Sequence, residues 1–196
     1  LPFAAILSVI SFLLMKQPDM GTLGVVILIS MSIYFISGAR LSHIAAMGAL
    51  GFAALFLLIK FESYRMDRLL VFLHPELDPK GIGYQINQAL LAIGSGGIFG
   101  VGLGHSLQKF NYLPEPVGDS IFAIIGEELG MLGGIVLVSL FVMLALRGLK
   151  IARSAPDRFS RLVACGVVSW VIFQAFINIS AISGLIPLTG IPLPFI

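Results

Sequence analysis

Three carboxylates, Asp119, Glu127 and Glu128, stand at the head of an apolar run that meets no further charge until Arg147. About 20 apolar residues cross a bilayer, so the run is of spanning length. A carboxylate in or beside hydrocarbon costs roughly 2.5–3.5 kcal/mol on insertion scales, and by default it marks a site of function. Asp119 follows Pro114, Pro116 and Gly118 and precedes Ser120, a setting for a helix start, where an aspartate can serve simply as the cap. Glu127 and Glu128 lie about 12 Å further along at 1.5 Å per residue. There they must be paired with a cation or with backbone donors, or be protonated. Ala123, Gly126, Glu127 and Gly130 recur at helical spacing, so one small-residue face would admit a helix or a ligand close to the backbone.

The cations that could serve these acids or a phosphate are few. Arg65 and Arg68 sit just beyond an apolar run, where snorkelling to the interface competes with phosphate recognition. Lys109 lies between a glycine run and the proline turn, either in contact with substrate or solvated. The run Gly94–Gly104 is too glycine-rich to remain helical. It lacks the spacing and the preceding strand of a dinucleotide site. Its glycines suit tight packing of loop on helix, or backbone N–H groups brought towards an anionic head group. His43, His74 and His105 are scattered without ligand spacing, so no dedicated metal site is expected. Cys165 is alone in an apolar run and reads as core packing. Asn178-Ile-Ser180 matches a glycosylation sequon but ends an apolar span, and is discounted.

The elements that must position these residues follow from the charge distribution. With 58% apolar and 11% charged residues and a mean hydropathy of +1.02, the chain exceeds what a soluble core can hide. An all-α, polytopic membrane protein with about five spans is expected, as a piece of a longer protein. The net charge of +2 leaves no nucleic-acid footprint. Apolar runs cover 1–15, 20–39, 41–59, about 119–146, and 162 to about 183, beyond which the proline-rich tail cannot be regular helix. Between the third and fourth runs, residues 61–118 read as a large loop with a short amphipathic or re-entrant helix. The connector from Arg147 to Arg161 holds five basic residues against Asp157 alone, which assigns it to the cytoplasm. Counting spans backwards puts the 61–118 loop and Asp119 on the outer face.

Several segments together resemble the SEDS family (shape, elongation, division and sporulation), membrane glycosyltransferases that polymerise lipid II into peptidoglycan. They are QPDMGT (17–22), YRMDR (64–68), the stretch 74–110, YLPEPVGDSIFAIIGEELG (112–130) and GLIPLTGIPLPFI (184–196). The QKF and YLPEP wording is closer to the family's division polymerases than to its elongation ones. The resemblance implies that Asp119 is the family's essential extracytoplasmic aspartate, acting as general base. Where the family commonly has histidine and threonine before it, this chain has Val117 and Gly118. Arg65, Arg68 and Lys109, with Gln108 and Glu115 in the same segments, become the implied substrate contacts, and Glu127 and Glu128 supporting acids. The implied partners are lipid II, the nascent glycan strand, membrane lipids, a class B penicillin-binding transpeptidase and other division proteins. The implied location is the bacterial cytoplasmic membrane. No cofactor is evident, although a divalent cation could share the charge on the pyrophosphate. Two other classes compete, a transporter of lipid-linked precursors and a non-catalytic scaffold. A transport path expects polar groups through both leaflets, whereas the runs from Met20 to Ile59 carry charge only at Arg40.

Overall fold

The computed structural model describes residues 2–17, 19–61, 63–110, 113–114 and 118–196, the side chains at 2, 52, 54–61 and 63–65 excepted. The Arg65 side chain, Glu115 and Val117 therefore lie outside the described residues. Every regular element among those described is helical: α1 (Pro2–Lys16), α2 (Met20–Ile36), α3 (Leu41–Phe61), α4 (Ser63–Leu73), a 3₁₀ turn (Pro75–Leu77), α5 (Ile82–Gly96), α6 (Ile121–Arg153) and α7 (Arg158–Ile182). The five expected spans correspond to α1, α2, α3, α6 and α7. Of these, α6 and α7 are long and apolar enough to cross a bilayer, and Phe3–Lys16, Met20–Ile36 and Leu41–Gly51 are shorter apolar helices. Only 11% of the most apolar stretch of α6 is buried, and 22% of that of α7. The core helix of a soluble fold would be mostly covered; an apolar surface left this open suits a hydrocarbon solvent.

Aspartates set three of the helix starts. Asp19 accepts from Thr22 N–H at 3.0 Å and caps α2. Asp78 accepts from Gly81 and Ile82 N–H at 2.9 and 2.8 Å and so starts α5. Asp157 accepts from the N–H and hydroxyl of Ser160 at 2.9 and 2.6 Å. The Ser160 hydroxyl, then its N–H, hold that exposed carboxyl below the usual carboxylate range. Helix also takes most of the expected basic connector, leaving only residues 154–157 between α6 and α7.

The chain forms two compact units. One comprises residues 1–51 and 142–174. Within it the Phe3 and Tyr34 rings stack at 4.8 Å, and Arg158 Nη2 donates to the Ser37 carbonyl at 2.5 Å. That contact puts the head of α7 against the end of α2, so the turn bearing Arg40 and the basic connector meet.

The second unit comprises residues 52–141 and 175–196. Its organising feature departs from the unbroken span expected over 119–146. α6 is interrupted at Gly130, where φ is 67° and ψ −164°, a conformation open essentially to glycine alone. Such a break strands backbone groups, which are costly in hydrocarbon. The glycine run after α5 takes them up. Val101 and Gly102 N–H donate to the carbonyls of Glu127 and Glu128, both at 3.0 Å, while Met131 and Leu132 N–H donate to Gly97 and Ile98 carbonyls at 2.9 and 3.2 Å. Of the two uses open to the glycines, the structure displays tight packing. A Cβ on Gly100 would fall on the Glu128 carbonyl, and one on Gly96 on that of Gly126. The expected single loop helix is thus two, α4 and α5, with α5 seated on the first part of α6 where Ile93 and Gly96 meet Gly126 and Glu127.

Candidate active site

Asp119 stands just ahead of α6 and is reached from two other helices. From the first turn of α5, Gln85 Nε2 donates to its Oδ1 at 3.1 Å, and the same nitrogen lies 3.2 Å from Ser120 Oγ. The Ser120 hydroxyl, fully buried, lies 3.2 Å from both Asp119 Oδ1 and the Pro114 carbonyl. From the end of α7, the fully buried Asn178 gives both amide protons to carbonyls, one to Asp119 at 2.7 Å and one to Ile191 at 2.8 Å. Arg68 of α4 donates to the Leu188 carbonyl at 3.1 Å. The tail after α7, turning at Gly184 and Gly190 with positive φ, is thereby tied to the Asp119 region through Asn178 and to α4 through Arg68.

Glu127, Glu128, Gln108 and Lys109 form a second cluster. Glu127 is 3% exposed, and its carboxylate accepts from Ser106 Oγ at 2.5 Å and from Leu107 and Gln108 N–H at 3.0 and 3.4 Å. Glu128 accepts from Ser106 N–H at 3.3 Å and pairs with Lys109 Nζ at 2.6 Å. Backbone donors for one acid and a cation for the other are two of the three states that burial allows. Together with the backbone bonds at the Gly130 break, these contacts hold the segment 97–109 along one face of α6. Beside the break runs an apolar groove of about 510 Å³, lined by Ile93, Phe122, Gly126, Gly130, Gly134 and Val138 among others.

Among the expected site residues, hydrogen bonds gather Lys109, Glu127, Glu128 and the Gln108 backbone, while Arg68 joins the tail. Two partners of Asp119 are residues that motif reading passed over. Gln85 lies in a helical apolar pattern, and Asn178 entered only as part of a rejected sequon. A signal for Asn178 was present, because an amide in an uncharged span needs partners. Among the described residues no three His, Cys, Asp or Glu side chains cluster as a metal ion would require. The histidines have other neighbours: His43 lies 3.5 Å from Tyr34 Oη, His74 3.0 Å from Glu76, and His105 Nδ1 3.1 Å from the Leu103 carbonyl.

Comparison with known proteins gives this geometry its context. The family described as cell cycle protein, that of FtsW, RodA and SpoVE, matches residues 1–196. Stage V sporulation protein E of Bacillus subtilis is 46% identical over 184 residues, 94% of this chain and 50% of that protein. The probable peptidoglycan glycosyltransferase FtsW of Tolumonas auensis is 42% identical over 98% of this chain and 51% of its own length. That of Geobacter sulfurreducens is 40% identical over 100% and 52%. The chain thus spans about half the length of these curated relatives. A solved chain from work on "Structural coordination of polymerization and crosslinking by a peptidoglycan synthase complex" superposes with a TM-score of 0.72 at 26% identity, over 98% of this chain and 53% of that one.

Proposed function

We propose, from the premise that the chain belongs to the FtsW, RodA and SpoVE family of cell cycle proteins, that the whole protein is a peptidoglycan glycosyltransferase with Asp119 as its general base. The observation that carries the reading is a carboxylate that accepts from the Gln85 amide and lies against the Ser120 hydroxyl at the head of an interrupted membrane helix. Extending a β-1,4 glycan from an α-linked lipid pyrophosphate inverts the anomeric carbon. The acceptor 4-hydroxyl attacks from the face opposite the leaving group, and Asp119 takes its proton. The pyrophosphate departs with the electron pair of the broken bond and needs cations rather than an acid. Arg65, Arg68 and Lys109 are the proposed cations, with Gln108 and Glu115 as further substrate contacts. Lys109 would serve while paired with Glu128. The groove beside Gly130 supports a donor with an apolar chain. By likeness to the solved synthase complex, the proposed partner is a class B penicillin-binding transpeptidase. The proposed setting is the outer face of the bacterial cytoplasmic membrane.

The break in α6 lends some support to a transporter, since interrupted helices line transport paths. Against it, the Glu127 and Glu128 carbonyls and the Met131 and Leu132 N–H groups around the break are all bonded to the chain's own loop. The deciding experiment compares Asp119→Asn with Asp119→Ala in the whole protein, measuring glycan formation and melting temperature together. Asparagine caps a helix about as well as aspartate but cannot take the proton, a loss worth about 10²–10⁴-fold in rate. Both variants are expected to be inactive, with the Asn variant folded. Polymerisation at the wild-type rate by Asp119→Asn would refute the assignment.

A further inference from the structure

A base works only if its lone pair is aimed, and an aspartate is poorly suited to aim itself. Its terminal torsion is broad and roughly two-fold, so the carboxylate turns unless something outside it chooses an orientation. Here Gln85 provides such a contact, its amide donating to Oδ1 from a separate helix. The Ser120 hydroxyl lies against the same oxygen. The peptide is held as well. At the head of α6, Ala123 N–H donates to the Ser120 carbonyl, and the Asp119 carbonyl takes the amide of Asn178. The second proton of that amide goes to Ile191, so one side chain sets both the head of α6 and the tail.

We infer that Gln85 and Asn178 are positioning residues for Asp119, Gln85 fixing the carboxylate and Asn178 the backbone that bears it. The inference rests on the proposal that Asp119 is the base. Amides suit the task. Each donates without adding a charge that would compete for the proton Asp119 must accept. α5 is itself located by the bonds from Gly81 and Ile82 N–H to Asp78 and by its close seat on α6 at Gly96 and Gly126, so Gln85 arrives from a rigid support. Asn178 is fully buried, and its bonds reach 59 positions back to Asp119 and 13 forward to Ile191. A residue so placed cannot shift without moving Asp119.

The test uses the whole protein in liposomes with lipid II as donor. Gln85→Met keeps the length and flexibility of the side chain and removes the amide. It is expected to lower kcat about 10²-fold, the scale of a misplacement near 1 Å, with KM unchanged within about two-fold and the melting midpoint unmoved. Asn178→Ala is expected to lower kcat similarly and also the melting midpoint, because two carbonyls lose their donor. Wild-type kcat in Gln85→Met overturns the inference, and so does a loss seen only as a rise in KM, which would make Gln85 a substrate contact. If Gln85→Met melts early, the same criteria apply to Gln85→Glu, which is isosteric and, when ionised, cannot donate. A wild-type protein that forms no glycan overturns the functional proposal and this inference together; an active wild type with an equally active Gln85 variant overturns this one alone.

Discussion

Lys109 and Glu128 are 2.6 Å apart with side chains only 25% and 12% exposed, which places the pair between a surface ion pair of little worth and a buried one. Removing the lysine alone leaves a largely covered carboxylate without its cation, and Lys109→Ala is expected to cost about 1–3 kcal/mol of stability. Adding Glu128→Gln should recover much of that, because the orphaned charge is gone. The double variant therefore separates two tasks. If it is stable and polymerises at the wild-type rate, Lys109 only locks the loop; if it is stable and slow, Lys109 also meets the pyrophosphate. Motif and depth were enough to single out Asp119, Glu127 and Glu128. They were not enough to find Gln85 and Asn178, which lie 34 and 59 positions from Asp119 along the chain.

Apolar runs and charges located the helices well, and the end of α7 at Ile182 falls where the proline-rich tail required. The interruption of α6 was hidden because composition registers how apolar a segment is, and Gly130 sits in an unbroken apolar pattern. The break exists through the bonds that residues 97–102 make to it, and those depend on tertiary structure. Gly130→Ala is expected to lose at least about 1–3 kcal/mol from backbone strain alone, with further loss because the new Cβ would fall on Gly100 N and the Ile98 carbonyl. Gly94→Ala, with open space around the added carbon, is the matched control. It should be neutral or gain up to about 1 kcal/mol from helix propensity. Melting midpoints in detergent would check both. Equal midpoints for the two variants would mean that the break does not depend on glycine at this position.

For the whole molecule, the assignable quantity is orientation. Arg158 reaching the Ser37 carbonyl brings the turn of Arg40 beside the basic connector, as expected if both lie on the cytoplasmic face. A cysteine at the exposed Ser154 should react with a membrane-impermeant thiol reagent only after permeabilisation. One at the exposed His105 should react in intact spheroplasts, against a background kept low by the burial of Cys165. The reverse pattern would place Asp119 on the wrong face for an external substrate. The break at Gly130 also bears on how the protein can be made. A helix leaving the translocon with stranded carbonyls and N–H groups would resist entry into lipid, unless their partners were already at hand. Synthesis runs from the N-terminus, so the glycine segment emerges before α6 and is present when the interruption arrives. A permuted chain that translated α6 first would meet the bilayer with that gap unfilled, and its insertion should stall there.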